Sequence, residues 1–90
     1  MRILPDDVNA YRRTPTFTAA TVPAALTEAH RTKAGVWGVI NVVRGRLRYR
    51  IIGEADDYVL TANRPGVVEP EVLHQVAPDE DAAFYVEFYR

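Results

Sequence analysis

Between Gly35 and Ile52 the chain reads GVWGVINVVRGRLRYRII, and within it Arg46, Arg48 and Arg50 alternate with Leu47, Tyr49 and Ile51. A period of two sends successive side chains to opposite faces of an extended strand, so this stretch has one basic face and one core face. Its two extended runs meet at Arg44-Gly45, where glycine can adopt the positive φ of a tight hairpin, and the expectation is a β meander. Downstream, GEADD supplies a turn and YVLTA a third short strand. NRPG then fits a type II turn with Pro65 and Gly66 in its two central places. VVEPEVLHQV is a fourth extended stretch, bent at Pro70, which has no amide to donate to a ladder. APDEDA turns again, and FYVEFYR closes the chain as a strongly β-prone strand. Short strands punctuated roughly every 8 to 12 residues predict an all-β sandwich or barrel. Only the first third departs from this pattern. TVPAALTEAHRTKAG can form a short helix, capped by Thr21 and stopped by Gly35, or stay irregular.

A chain of 90 residues holds one domain, here 1–90. At that length a fold buries roughly 60–65% of the surface its unfolded form exposes, so the core is thin and a homodimer would help it. With 48% hydrophobic residues the composition is that of a folded domain. Eleven basic against twelve acidic residues leave a formal charge of −1, which gives no overall attraction to nucleic acid or to an anionic membrane. The absence of cysteine excludes disulfides, thiolate metal sites and a cysteine nucleophile. Pro5, Asp6 and Asp7 interrupt the N-terminus before a leader core could form. The longest uncharged stretch, Thr14 to Thr27, has 14 residues, short of the roughly 20 a span requires. These features predict a cytoplasmic protein.

Chemistry has few carriers. His30 and His74 are the only histidines. In VLHQV, alternation places His74 on the same face as Val72 and Val76, a face that should be dry. Two imidazoles with a carboxylate make an open site for a divalent ion; the plain alternative is that each histidine bonds a backbone partner. The candidate carboxylates are Glu69, before Pro70, and Glu87, in the last strand. Within FYVEFYR, Phe84, Val86 and Phe88 share one face and Tyr85, Glu87 and Tyr89 the other. If the phenylalanine face is core, Glu87 is solvated. Arg44, Arg46, Arg48 and Arg50 could grip an oxyanion, but an exposed strand face whose arginines pair with Glu54, Asp56 or Asp57 is the simpler reading. Trp37 and Tyr49 are core candidates that could also line a pocket. No glycine-rich phosphate loop and no Ser/His/Asp arrangement occurs, so nucleotide binding and serine-type hydrolysis drop out.

Taken together, RRTPTFTAATVPAALTEAHRTKAGVWGVI, GRLRY, RPGVVEPEVLHQV and FYVEFYR resemble the TehB/YeaR-like domain, found alone and at the N-terminus of tellurite-resistance methyltransferases. The resemblance runs from about Leu4 to Arg90. It implies a small cupin-like, jelly-roll β-barrel and turns PAALTEAH toward an extended segment. It also matches His30 and His74 to the family's two characteristic histidines and Glu87 to an acidic position in the closing strand. Metal coordination by His30, His74 and Glu87 follows as an expectation, with zinc, iron, nickel and manganese not distinguished. The cupin pattern of two histidines one residue apart followed by a glutamate is not kept, for only His30 is present and Gly38 stands where the glutamate would fall. The expectation is therefore a stand-alone cupin-like module for a divalent metal or a small-molecule ligand, without nucleic acid or membrane as partner. A metal-dependent oxygenase or isomerase and a non-catalytic dimerisation module are the alternatives. Methyl transfer by these residues alone is excluded for want of a nucleotide-binding fold.

Overall fold

Eight strands and one helical turn form in the computed structural model, which describes residues 1–90. In chain order they are β1 (Ala10–Arg13), β2 (Phe17–Thr18), α1 (Ala24–Thr27), β3 (Trp37–Arg44), β4 (Leu47–Ile51), β5 (Tyr58–Leu60), β6 (Gly66–Val68), β7 (His74–Pro78) and β8 (Ala83–Tyr89). The chain is thus all-β apart from α1. The alternation that opened the sequence is realised in β4, where Leu47, Tyr49 and Ile51 are buried and Arg48 and Arg50 exposed. Arg50 pairs with Asp57 at 2.8 Å and Arg46 with Asp79 at 3.2 Å, so the arginine face is largely a solvated, ion-paired surface.

The strands make two antiparallel sheets. One has the order β1-β8-β3-β6, with β2 also pairing β8; the other has the order β5-β4-β7. No strand pairing closes one sheet onto the other, so the expected closed barrel is replaced by a two-sheet sandwich. Ile40, Val42, Phe84, Val86 and Val68 from the first sheet meet Leu47, Tyr49, Ile51, Leu60 and Val76 from the second in one core. Tyr49 is fully enclosed there, and its hydroxyl donates to the Val67 carbonyl at 2.9 Å, which satisfies the one polar atom it buries.

Two turn assignments need correction. Arg44-Gly45 does not close a hairpin, because β3 pairs with β6 and β8 while β4 pairs with β5 and β7. Gly45, at φ +70°, instead carries the chain from one sheet to the other, and a Cβ there would lie 2.8 Å from Ala82 Cα. Alternation specifies the two faces of a strand but not its neighbours, and that is why the pattern read as a meander. Gly66 is not a turn residue either. The reversal is closed by paired main-chain bonds between Thr61 and Arg64, and Gly66 begins β6 with its missing Cβ replaced by Leu60 Cδ1 at 2.6 Å. The extended stretch after it breaks at Pro70 and Glu71, the latter at φ 65°, and its two halves join different sheets. The ambiguous PAALTEAH resolves both ways: α1 is a single turn, and the chain after it extends to reach β7 at His30.

Candidate functional site

His30 and His74 face each other across a β-bridge and exchange both main-chain hydrogen bonds at 2.9 Å. Directly opposed residues project their side chains to the same side, which brings the ring centroids to 4.1 Å with a 56° tilt. His74 also pairs with Ile51 in β4 and meets the edge of the Tyr49 ring, so it sits between core and cavity at 4% exposure. His30, half-buried, lies nearer the surface.

Both rings are oriented in the same way. His30 Nδ1–H donates to the Glu28 carbonyl and His74 Nδ1–H to the Val72 carbonyl, each at 2.9 Å. A carbonyl only accepts, so Nδ1 carries the proton and, in the neutral ring, the lone pair is on Nε2. No buried side-chain nitrogen or oxygen lacks a partner. With Nδ1 engaged, the accessible nitrogen of each ring is therefore Nε2. For His74, burial lowers the pKa below the ordinary imidazole value, the bond to Val72 works in the opposite sense, and His30 lowers it further.

The rings border a cavity of about 280 Å³ between the sheets. Its floor and sides are Ile40, Val68, Val76, Phe84 and Val86, with Leu26 of α1, Val36 and Phe88 nearer the mouth. Roughly 150 Å³ suffices for benzene in an apolar protein cavity, so there is room here for a ring with substituents. Trp37 has no part in it; the tryptophan is half-buried and points, with Val39 and Asn41, to the other side of β3 from Ile40 and Val42.

Glu87 and Glu69 do not join the histidines. Glu87 lies on the face of β8 opposite Phe84, Val86 and Phe88, where it accepts from Arg13 Nη2 at 3.2 Å and from the Tyr89 hydroxyl at 2.9 Å. Glu69 pairs with Arg2 at 3.0 Å, beside a separate recess under Tyr49. The expected set of His30, His74 and Glu87 is therefore corrected to the histidine pair alone, because period-two geometry puts Glu87 on the wrong side of its strand. No three histidine or acidic residues converge anywhere as a metal cage. Two imidazoles fall short of the three protein ligands an open catalytic centre uses, so these side chains by themselves do not complete a catalytic metal centre. Gly38 faces the interior, but a Cβ there would already press on Val68 at 3.2 Å, which leaves no space for the missing cupin glutamate.

Sequence reasoning passed over three residues at the mouth: Arg12 of β1, and Arg31 and Lys33 beside the His30 bridge. None takes part in a salt bridge. Arg12 comes from a segment distant from Arg31 and Lys33, so no local pattern in the chain brings the three together.

The class of protein defined by this fold and site is a small two-sheet β domain with a histidine-paired cavity between its sheets. The chain belongs to the TehB-like domain family, whose model matches residues 12–86. It is 28% identical over 90 aligned residues to the probable S-adenosyl-L-methionine-dependent methyltransferase TehB of Haemophilus influenzae, an alignment that takes in 93% of this chain and 32% of that protein. The crystal structure of Haemophilus influenzae TehB superposes with a TM-score of 0.86 at 27% identity over 93% of this chain and 32% of that one. The chain thus spans about a third of the length of that relative. A crystal structure of an Escherichia coli K12 protein, at 24% identity and TM-score 0.89, covers 100% of this chain and 97% of its own, and shows that the same fold fills that whole protein.

Proposed function

We propose that the chain is a cupin-type, jelly-roll-like module that holds a small molecule between its sheets, against the Nε2 atoms of His30 and His74. The observation that carries this reading is the bridge that sets the two imidazoles side by side, each with Nδ1 bound to a carbonyl and Nε2 accessible beside a cavity of about 280 Å³. Two adjacent lone pairs accept a hydroxyl or N–H donor, and the apolar walls take the body of the molecule out of water. Support for the jelly-roll assignment comes from connectivity: from β3 onward every link but β4–β5 crosses between the sheets. Beside a methyltransferase, as in the Haemophilus relative, such a module would supply ligand binding; the residues here carry no nucleotide loop for methyl transfer.

The test is imidazole ¹H–¹⁵N NMR during titration with 4-hydroxybenzamide, whose phenol is a donor on an apolar ring. Saturable shifts at both Nε2 resonances, weakened in His74→Gln, are expected. Ring signals that stay fixed up to the solubility limit would remove the reading.

A divalent ion is the second reading, favoured by one observation: an Nδ1–H bound to a main-chain carbonyl is also how metal-ligating imidazoles are oriented. Zinc added to protein purified without a histidine tag decides it. One equivalent retained through gel filtration and lost in His30→Ala supports a metal; weak uptake unchanged by that substitution rules it out.

A further inference from the structure

We infer that the ligand of this cavity is a small organic anion, with its apolar body between the sheets and its carboxylate or comparable oxyanion at the mouth, held by Arg12, Arg31 and Lys33. The inference deepens the small-molecule reading of the same cavity and rests on it.

The first observation is one of charge. The protein carries −1 overall, yet the cavity wall includes three cations and none of the twelve acidic side chains. Glu28, the nearest acid in sequence to His30, contributes its carbonyl to that ring, and its side chain does not line the wall. Four arginines elsewhere are neutralised: Arg2, Arg13, Arg46 and Arg50 each have a carboxylate within 3.2 Å. The cations at the mouth have none, and although Arg44, Arg48, Arg64 and Arg90 also lack one, only Arg12, Arg31 and Lys33 gather on the wall of one cavity. Three like charges at one opening repel each other, and an anion between them relieves that repulsion.

The second observation is one of hydrogen-bond supply. The threonine hydroxyls on the wall are already committed, Thr14 donating to the Pro15 carbonyl while accepting from the Val86 amide, and Thr32 donating to the Val36 carbonyl. What remains for a ligand is a set of charged donors and the Tyr11 hydroxyl at the exposed mouth, and two Nε2 acceptors further in. A group that only accepts matches the mouth, and forked guanidinium donors match a planar carboxylate in particular. Arg12 is also kept close, its guanidinium 5.9 Å from the centre of the Phe88 ring that borders the opening. A cationic ligand would be repelled by these charges, and a sugar-like one would leave the apolar walls unfilled.

The experiment compares 4-hydroxybenzoate with its neutral isostere 4-hydroxybenzamide by calorimetry on the whole chain at neutral pH and low salt. The benzoate should bind at least about tenfold tighter, a preference that shrinks as salt rises. In an R31Q/K33Q variant, and more weakly in R12Q, that preference should collapse toward one while the affinity for the amide holds. These side chains are exposed and outside the core, and circular dichroism would confirm unchanged folding. Equal affinity for the two probes, or a preference untouched by both variants, would overturn the anion assignment while leaving the cavity reading in place. Failure of both probes to bind would overturn both, and binding of the amide alone would overturn the anion assignment only.

Discussion

The two faces of β8 divide its seven residues and use them in opposite ways. On the inner face Phe84, Val86 and Phe88 close the core and border the cavity; on the outer face Tyr85, Glu87 and Tyr89 meet Arg13, which lies 4.4 Å from the Tyr85 ring centre and bonds Glu87. Outside, the Glu87 carboxylate is already answered by Arg13 and the Tyr89 hydroxyl. Inside, across the cavity, the two histidines are fixed through one nitrogen and keep the other free. The difference teaches where to look for function in a small β domain: a charged residue with a full complement of partners is surface structure, and a polar atom held in place yet left unanswered marks a site.

That contrast can be broken most forcefully at Phe84. Phe84→Ala removes a fully buried ring in edge contact with Phe17 at 5.8 Å, and should cost about 3–5 kcal/mol in chemical denaturation. Tyr85→Ala, one residue along and on the other face, should cost less than half of that. Equal losses would show that the outer face is as much core as the inner one.

Acid sharpens the comparison next. His74 has its pKa lowered in the fold, chiefly by burial. The unfolded chain therefore takes up this proton near the ordinary value of about 6.5, while the native chain takes it up only at lower pH. The stability His74 confers is whole above that value and is lost as pH falls toward the depressed native pKa. Denaturation midpoints at mildly acidic pH should lie below those at pH above neutrality, and His74→Gln should flatten the difference. A slope unchanged by the substitution would assign the acid sensitivity to other groups.

The smallest effect belongs to Glu87. Glu87→Gln removes a partly exposed ion pair with Arg13, and should cost about 0–1 kcal/mol. It should leave 4-hydroxybenzamide binding unaltered. A clear loss of binding would connect the two faces of the strand and undo the separation drawn between them.

Much of this was legible in the chain, for reasons that also set the limit. Alternation in RLRYRI gave β4 its buried and exposed faces, and alternation in FYVEFYR already favoured a solvated Glu87. The inward direction of His74 followed from Val76 two residues on. What no local pattern carries is partnership. The bridge from His74 to His30 spans much of the chain, and the assignment of β3 and β4 to different sheets depends on neighbours that arrive later in sequence. Gly66 misled because Pro-Gly satisfies a type II turn, whereas its real constraint is the Leu60 side chain packed against it. The cations at the mouth went unnoticed beside the conspicuous arginines of β4, whose regular spacing reflects exposure alone.

The segment from α1 to Val36, which supplies His30, Arg31 and Lys33, is tied to the rest of the protein by three main-chain hydrogen bonds: two in the histidine bridge and one from the Glu71 amide to the Thr32 carbonyl. Those bonds form a short latch, with Leu26 packed against the core beside it. A guest that touches both imidazoles fastens that latch from within, so occupancy should be felt first as slower amide exchange at His30 and only afterwards as a higher melting temperature.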